Sequence, residues 1–552
     1  MKIPHKEFRA LKRRFHQMQK DRQPFWRQWR DLADYYLPSR YEALMSETEL
    51  REGILTNDKV LDSTGTKAMR VLVAGMMNGI TSPARPWFKL KLANYAEESH
   101  AMRVWLDEVE RRMLLVMAGS NFYNALAINY IDLALFGVTC HFIYKDFDSV
   151  IRSYVPAVGE FYLAQDSRQV VNRVGRHFER KADQIIEQWG EENCSDTVKD
   201  AKKNNSNTNF TIHYLLEPNE KGDLFIPGGF KFREVYWEKA GLEEPGQVLG
   251  VVPYKDFLAI TPRWEVTGNS VYATSCPAMD AMGDVRQLQH ETMRKGQGLD
   301  KMVSPPVVMD LSLKQSPHSL QPNGKTFVPS ASQVGVKSAY DVRLPIAELS
   351  ADIQMVQASI RETFYNNLFQ IVSNLDTVRS AREISSLEQE RLTLLAPVLE
   401  RFQNEALDPG VRRIYSVMED ADLLPEAPPE MEEAEIQISY ISILAVAQSA
   451  VSTVPTERLL TLVGQTAALY PNALNIPDIE ELIRSYGRDV GVKAAGLRSR
   501  EETEQRNQQN DELNTQREQA ATGEVLTKSA ANLSETDVGG GQNALQQILS
   551  GI

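Results

Sequence analysis

The fold of this chain is decided by the sequence IAELSADIQMVQASIRETFYNNLFQIV, residues 346–372. No proline or glycine interrupts it, and its apolar residues recur at spacings of three and four, the period of an amphipathic helix. A helix of this length is a rod of roughly 40 Å at about 1.5 Å per residue. The apolar stripe consists of Ile346, Leu349, Ile353, Val356, Ile360, Phe364, Leu368 and Ile371.

A second predicted helix begins at Pro277, a residue type favoured in the first helical turn, with Ser275 as its N-cap. From Gln287 to Lys301 this helix is polar on nearly every side, so it needs water or other subunits around it rather than a compact core. The two rods together fit a wall of repeated hairpins around an axis. A plain antiparallel coiled-coil arm is the alternative.

The segment between the rods, residues 304–345, is rich in proline, serine and glycine. Short apolar runs at 306–311, 325–328 and 333–336 predict small β-strands. Because the segment is held at the end of two rods, we expect a docking tip. An ordinary surface loop is the alternative.

Composition limits the classes of function. The chain has 552 residues, 42% hydrophobic and 24% charged, and a net charge of −13, which argues against gripping nucleic acid over a broad basic surface. The three cysteines, Cys140, Cys194 and Cys276, show no CxxC spacing, so we expect a reducing compartment and no metal site. The N-terminal residues lack the apolar core of a signal peptide, and we expect a soluble intracellular protein without direct membrane insertion.

Residues 1–37 have apolar side chains at helical spacing, which predicts an amphipathic helix. Its polar face is basic, with ten lysines and arginines through Arg30 against two acids, Glu7 and Asp21. Such a face can touch a membrane or nucleic acid. The alternative is that this face lies in solvent on a helix docked on a protein that is acidic overall.

Between residues 138 and 260 the apolar period changes to two, which predicts a small mixed β-sheet. Helices are predicted before it at 61–80, 99–118 and 120–136, the last one ended by Gly137. The fold class is therefore α+β and predominantly helical. The predicted strands are 138–147, 151–158, 160–165, 170–179, 210–216 and 230–237.

After the second rod, Ser380-Ala-Arg-Glu383 has the pattern of a capping box. It opens a predicted long helix through Met418, bent at Pro397 and interrupted at Asp408-Pro-Gly410. An acidic linker, residues 419–435, leads to a region predicted helical up to about residue 496. Residues 498–521 are polar, which predicts either a solvated helix or disorder.

The chain lacks the residues that an enzyme needs. Asn323-Gly-Lys-Thr326 is similar to the end of a phosphate-binding loop, but Ser319 stands where the first glycine belongs and Pro322 interrupts the motif. His290-Glu291 has no second histidine at zinc-helix spacing. We therefore expect no catalysis, no cofactor, no metal and no small-molecule substrate.

Several stretches resemble the portal (head-to-tail connector) proteins of short-tailed, T7-like bacteriophages. They are TSPARPWF at 81–88, SNFY at 120–123, RWEV at 263–266 followed by VYATSCPAMDA at 271–281, and SAREI at 380–384. The resemblance covers most of residues 1–424 in order. The family usually has Tyr-Gly near Tyr272-Ala273 and a Thr-Ala-Thr-Glu-like tunnel loop where Ser380–Glu383 stands, so Arg382 departs from the pattern.

The resemblance implies the phage portal fold, a ring of twelve subunits around a central channel at one capsid vertex. Each subunit would have a wing, a stem, a clip, a tunnel loop and a crown. The corresponding ranges are wing 1–275, stem helix one 276–302, clip 303–345, stem helix two 346–372, tunnel loop and long bent wing helix 373–424, crown 425–497, and a polar tail 498–552 that is either a solvated helix or disordered.

The family also implies partners and sites. Viral double-stranded DNA would pass through the channel for packaging and ejection, driven in by a separate terminase that docks on the clip and is later replaced by tail adaptor or nozzle proteins. Capsid and scaffolding proteins would surround the ring, in the host cytoplasm during assembly and then in the virion. The expected channel residues are Asp376, Arg379, Arg382, Arg294 and Lys295, and the expected clip residues are Lys314, His318, Lys325 and Lys337.

Two other classes of function stay open at this point. An elongated helical scaffold or adaptor without a DNA channel would give monomers or dimers instead of rings. A nucleotide-driven motor would hydrolyse ATP in a manner sensitive to substitution of Lys325.

Overall fold

The computed structural model describes residues 5–40, 44, 59–92, 99–204, 206–220, 225–239, 248–303, 307–309, 336–338, 345–368, 396–431, 436–441, 458–466, 470, 477–490 and 500–535. The chain divides into two compact units. The first comprises Met1–Leu90, Val109–Glu426 and Ile438–Ser452, and the second comprises Lys91–Glu108, Ala427–Gln437 and Thr453–Ile552.

The elements follow one another in a mixed helical and β order, which agrees with the predicted α+β class. The helices are α1 His5–Tyr36, α2 Thr64–Ile80, α3 His100–Gly119, α4 Phe122–Phe136, α5 Ala182–Trp189, α6 Asp196–Lys203, α7 Pro277–Asp280, α8 Met282–Val303, α9 Ile346–Thr363, α10 Asp408–Glu419, α11 Ile479–Val490 and α12 Arg500–Glu535. The strands are β1 Phe88–Leu92, β2 His141–Asp146, β3 Val150–Tyr154, β4 Phe161–Gln165, β5 Val171–Lys181, β6 Asn209–Pro218, β7 Phe232–Glu238, β8 Val248–Tyr254, β9 Ala259–Ile260, β10 Val307–Met309, β11 Val336–Ser338 and β12 Ile436–Tyr440.

The β region of the first unit is two antiparallel sheets rather than one mixed sheet. Five strands pair in the order β4-β5-β6-β7-β8, and three pair in the order β3-β2-β9. Every ladder in these sheets is antiparallel. The prediction of a mixed sheet is wrong, because every pairing in these two sheets is antiparallel. All pairs except β2–β9 join strands that are consecutive in sequence, and no parallel crossover is present in them.

Helix α1 lies on the five-stranded sheet. Phe8, Leu11, Phe15 and Met18 are buried in one cluster with residues of four of its strands. A Cβ atom at Gly175 would lie 3.1 Å from the ring of Phe15, so this helix and β5 approach more closely than a larger residue allows. The helix is therefore docked, as the alternative interpretation expected, but the expectation that its basic face lies in solvent holds only in part.

The basic face of α1 is partly used inside the protein. Arg22 is buried, donates hydrogen bonds to the carbonyl oxygens of Gly159 and Phe161, and lies 4.1 Å from the Tyr162 ring centroid. Arg14 pairs with the buried carboxylate of Glu217 at 3.0 Å. These arginines hold the helix on the sheet.

Two glycines shape the helices of the first unit, one at a close contact and one at a helix end. A Cβ atom at Gly65 of α2 would lie 3.0 Å from Tyr36 and 3.2 Å from Val285, so this glycine permits close contact of three helices. Gly137 ends α4 in the left-handed conformation at φ 75°, as the sequence predicted, because glycine adopts positive φ without a steric penalty.

The two rods are present, with two differences from the prediction. The N-cap residue of α7 is Cys276, and the Ser275 hydroxyl instead donates to Asp280 Oδ1 at 2.7 Å. The returning helix α9 ends at Thr363, and Tyr365 follows with φ 55°. The expectation of one uninterrupted helix over 346–372 is wrong, because Phe364 turns into the interior, where its ring lies 5.8 Å from that of Tyr36.

The long helix after the second rod is continuous where an interruption was predicted. Residues 396–402 are α-helical, Gln403–Leu407 form a π-helical turn, and α10 follows directly. Pro409 lacks a backbone N–H, and a wider turn just before it absorbs the missing hydrogen bond without breaking the helix. The Ser380–Glu383 capping box lies outside the described residues.

The second unit contains α12, a helix of 36 residues. The helical alternative for residues 498–521 is thus confirmed from Arg500 onward, and the helix extends beyond the predicted segment to Glu535. Within the parts of the chain described above, no helix is both long and apolar enough to span a membrane.

Candidate channel hairpin

The root of the α8–α9 hairpin is fixed by one buried amide. Gln289 of α8 accepts hydrogen bonds from the backbone N–H groups of Leu61 and Asp62 at 2.7 and 2.8 Å, and it donates to the Asp62 carbonyl at 2.9 Å. Gln289 is 6% exposed. Because both the oxygen and the nitrogen of its amide are bonded to the backbone just before α2, this residue ties the hairpin to the body of the unit.

The Asp62 carboxylate extends this anchor to the other rod. It accepts from the Thr64 N–H at 2.7 Å and from Gln357 Nε2 of α9 at 2.8 Å. Partial burial opposes ionisation, but hydrogen bonds from Thr64 and Gln357 together with the nearby charge of Lys67 hold the pKa of Asp62 below its ordinary value. The carboxylate is therefore a stable acceptor at neutral pH.

Apolar packing completes the root. Val285 and Leu288 of α8 and Ile353 and Ile360 of α9 are buried. The Tyr36 hydroxyl donates to the Ala278 carbonyl at 2.9 Å, which joins α1 to the start of the first rod. Burial raises the pKa of Tyr36 far above its ordinary value, so this donor keeps its proton.

Beyond Gln289, most side chains of α8 are exposed in the part of the chain that the structure describes. Gly298 is its only other buried residue in that half. Several large apolar side chains are in solvent instead. They are Met293 at 41%, Leu299 at 39%, Met302 at 41% and Val303 at 81% exposure, and Met355 of α9 at 65%.

The expected channel residues of α8 point in different directions. Arg294 is exposed and Lys295 is half-buried, since neighbouring positions on a helix are turned by about 100°. Arg294 shares one exposed line with His290, Gln297 and Lys301 at spacings of four, three and four. Lys301 was not predicted, although its i+7 spacing from Arg294 could have identified it.

Six of the other expected site residues lie outside the described residues. They are Asp376, Arg379, Arg382, Lys314, His318 and Lys325. Lys337 lies on β11, opposite Val308 of β10. The similarity of Asn323–Thr326 to a phosphate loop likewise falls on residues that are not described.

A partly buried ion pair between Arg263 and Glu405 was not predicted. Arg263 Nη2 lies 2.6 Å from Glu405 Oε1, and Glu405 Oε2 accepts from the Arg263 backbone N–H at 2.9 Å. The guanidinium also donates to Gln165 Oε1, the Gln169 carbonyl and the Val271 carbonyl. This links the π-helical turn to the segment leading into α7. The partners are 142 residues apart, and nothing in the sequence pairs them.

Two buried titratable groups of the first unit, His141 and Asp132, have strongly shifted pKa values. Burial lowers the pKa of His141 to about 3, and its Nδ1 shares a hydrogen bond of 2.8 Å with Asn129. Burial raises the pKa of Asp132 to about 7, although Arg40 Nε is 3.5 Å away. Among the described residues there is no group of three or more histidine, cysteine or acidic side chains placed to hold a metal.

A family model for the bacteriophage head to tail connecting protein matches residues 9–497. The chain belongs to this family. It is 34% identical over 494 residues to the "Probable portal protein" of Bordetella phage BPP-1, with 88% of each chain covered. It is 33% identical over 536 residues to the "Portal protein" of Salmonella phage epsilon15, with 96% of each chain covered.

Membership confirms the resemblance drawn from the motifs and gives this connector-family chain the portal function. Portal proteins are structural and not enzymatic, and they form part of the virion. The match extends to residue 497, well beyond residue 424, where the resemblance in the motifs ended. The scaffold and motor alternatives have no comparable support.

Proposed function

We propose that copies of this chain form a closed ring around a channel for double-stranded DNA at one capsid vertex. The observation that carries the proposal is the α8–α9 hairpin, which is anchored at its root by Gln289 and Asp62 and leaves Met293, Met302 and Met355 in solvent. Apolar side chains exposed along a rod are covered when an identical rod lies beside it.

The charge of the hairpin suits a channel that does not trap DNA. Helix α8 carries four basic and three acidic residues, and α9 carries one basic and three acidic residues. Each phosphate neutralised by a lysine or arginine adds a counterion-release contribution to affinity. A sparse line such as Arg294 and Lys301, repeated around the ring, centres the duplex while the wall as a whole stays weakly repulsive.

The finer assignments form part of the same proposal. A ring of twelve has the wing 1–275, the stem helices 276–302 and 346–372, the tunnel loop and long helix 373–424, and the crown 425–497. The clip, 303–345, docks the terminase during packaging and a tail adaptor or nozzle protein afterwards, with Lys314, His318, Lys325 and Lys337 as contacts. Capsid and scaffolding proteins surround the ring, which assembles in the host cytoplasm.

The channel proposal is tested by reversing the charge of its expected wall. Arg294→Glu with Lys301→Glu reverses two charges on the exposed line of α8, and the matched control Lys202→Glu with Lys203→Glu reverses two on the exposed end of α6. We expect the α8 variant to assemble normally but to package less DNA per particle, measured by quantitative PCR of nuclease-resistant genomes. Equal packaging in both variants would exclude this line from the channel wall.

The tunnel-loop assignment needs its own variant. Arg379→Glu with Arg382→Glu is expected to impair packaging or retention of the genome while the ring still forms. A full genome complement in that variant removes both arginines from the mechanism.

A further inference from the structure

Five exposed basic side chains lie in one line along α1, on the side of the helix that faces away from the five-stranded sheet. At about 100° per residue they fall within an arc of about 60°, and their mean direction is about 165° from that of the apolar residues buried against the sheet. From first to last they extend about 32 Å at about 1.5 Å per residue. We call this line the α1 stripe, and its members are Lys6, Arg9, Arg13, Lys20 and Arg27.

The charges of the α1 stripe are not used inside the chain. Across the residues that the structure describes, none of the five takes part in an ion pair or a hydrogen bond. The two acids in this part of α1 lie off the line, Asp21 by about 95° and Glu7 by about 135°, and Asp21 accepts a hydrogen bond from Gln17 at 2.8 Å. Asp31, one turn beyond the last member, is paired with Arg286 at 2.9 Å and ends the stripe.

This distinguishes the α1 stripe from the other arginines of the helix. Arg14 and Arg22 also lie on α1, but they are paired with Glu217 and with backbone carbonyl oxygens of the sheet. Those contacts hold α1 in place without the stripe. Since an unpaired line of positive charge contributes nothing to this docking, its partner lies outside the described part of one chain.

A lipid surface fits the α1 stripe poorly. A helix that lies in a membrane interface inserts its apolar face at the boundary of the acyl chains. The apolar face of α1 is already occupied, because its residues are buried in one cluster with strands of the sheet. What α1 presents outward is positive charge, with the exposed polar side chains of His16 and Gln23 between the basic ones. This pattern favours a polyanion that is bound by charge alone.

We propose that the α1 stripe binds the phosphate backbone of double-stranded DNA, at a site separate from the line of Arg294 and Lys301 on α8. The choice of DNA rests on the proposed function, which brings a viral genome to this protein. Each strand of B-DNA carries a phosphate about every 3.4 Å along the helix axis, so the stripe lies alongside about nine of them. Contacts from lysine and arginine to phosphates carry no sequence information, and the binding is therefore independent of sequence.

The strength of this contact follows from its charge. The chain as a whole has a net charge of −13, so the stripe is a narrow basic line on an acidic protein. Each phosphate contact adds about −0.9 to the slope of log K against log salt concentration, and five contacts give a slope of at most about −4.5. DNA is consequently held at low salt and released as the salt concentration rises.

A closed circular duplex tests this site apart from the channel, because a circle has no end that can thread into a ring. The full chain is mixed with relaxed circular DNA, and binding is measured by co-sedimentation over a series of salt concentrations. Arg13→Gln with Lys20→Gln removes two charges from the middle of the stripe. The matched control, Lys202→Gln with Lys203→Gln, removes two charges from the exposed end of α6, so both variants have the same net charge.

We expect the stripe variant to bind the circle at least about tenfold more weakly than the unsubstituted chain at about 50 mM salt, with a slope shallower by about 1.8. The control variant should bind within about twofold of the unsubstituted chain, because its charges do not contact the DNA. Exchanging the two side chains, Arg13→Lys with Lys20→Arg, keeps the charge and should keep the binding. The α8 variant, Arg294→Glu with Lys301→Glu, should also bind the circle normally.

Equal binding by the stripe and control variants overturns the proposal, and so does an unsubstituted chain that fails to bind the circle at low salt. Loss of circle binding in the α8 variant but not in the stripe variant overturns it in favour of the α8 line. Vesicles containing an anionic phospholipid are tested in parallel; if they bind through Arg13 and Lys20 while DNA does not, the partner is a lipid surface and the proposal is overturned. Native mass spectrometry of the same samples tests the ring, whose absence contradicts the proposed function and not the α1 stripe.

Discussion

The buried pair between Arg263 and Glu405 gives the sharpest stability prediction. The Arg263 side chain is 4% exposed and that of Glu405 is 22% exposed. In the Glu405→Ala variant the Arg263 guanidinium stays buried and charged but loses its carboxylate partner. The backbone N–H of Arg263 loses its acceptor as well. Removing one partner of a buried pair costs about 3–5 kcal/mol. Because Arg263 keeps three other acceptors and Glu405 is partly exposed, we expect the lower end, about 3 kcal/mol.

The loss should be local, since the pair fastens the π-helical turn and α10 to the segment that leads into the hairpin. Hydrogen exchange measured by mass spectrometry on peptides covering 403–419 reports the free energy of opening there. A loss of about 3 kcal/mol corresponds to exchange roughly a hundredfold faster. The matched control is Glu400→Ala, which removes an exposed acid from the preceding part of the same helix.

A double variant separates a lost pair from general damage. Replacing Arg263 with Met in the Glu405→Ala background removes the stranded charge, and apolar replacement of both members of a buried pair is often close to neutral. We therefore expect slower exchange in the double variant than in Glu405→Ala alone. If hydrogen exchange over 403–419 is equally fast in Glu405→Ala and Glu400→Ala, the Arg263–Glu405 pair does not stabilise this region.

Three further changes have defined outcomes. Gln289→Leu strands the Leu61 and Asp62 N–H groups at the root of the hairpin, and we expect a loss of about 2–4 kcal/mol, seen as faster exchange over 59–64. Phe15→Ala opens a cavity under α1 and should cost about 3–5 kcal/mol, measured by urea denaturation against the exposed-site control Leu115→Ala; a loss below 1 kcal/mol would contradict the docking of α1. Burial raises the pKa of Asp132 to about 7, above the unfolded value of about 3.9, so its contribution favours folding at low pH and is lost as pH rises from about 4 through 7. Asp132→Asn should therefore raise the melting temperature more at pH 8.5 than at pH 5, and an equal shift at both values would contradict this.

Local sequence pattern was sufficient to predict features that depend only on the residues of one helix. The stripe of α1 predicted the residues that pack on the sheet, and Gly137 predicted the end of α4. The class of fold and the existence of both rods also followed from periodicity, because burial of one apolar face is a property of consecutive residues.

The structural predictions were wrong where contacts between residues far apart in sequence determine the structure. Nothing within residues 346–372 shows that Phe364 turns toward Tyr36, which lies more than three hundred residues earlier, so the rod was predicted too long. Pro409 correctly marked an irregularity but not its form, because a π-helical turn and a break are equally compatible with a missing N–H. The antiparallel order of the sheets depends on pairings that period-two patterns do not specify.

In the candidate site, too, exposed charges could be predicted from the sequence and long-range contacts could not. The exposure of Arg294 could be predicted because positive charge on a polar helix is visible in sequence, and Lys301 follows from helical spacing. The role of both residues in a channel wall stays a prediction. Gln289 was included among the polar residues of the first rod, yet its role as the anchor depends on contacts with Leu61 and Asp62. The Arg263–Glu405 pair is a long-range contact that sequence pattern alone cannot pair.

The most direct test of the central claim is the assembly state of the purified full chain. Native mass spectrometry together with negative-stain imaging should show one closed oligomer of many copies with a stain-filled central hole. Folded monomers or dimers that persist at high protein concentration, with no closed ring in the images, would contradict the claim that the α8–α9 hairpin is completed by neighbouring copies.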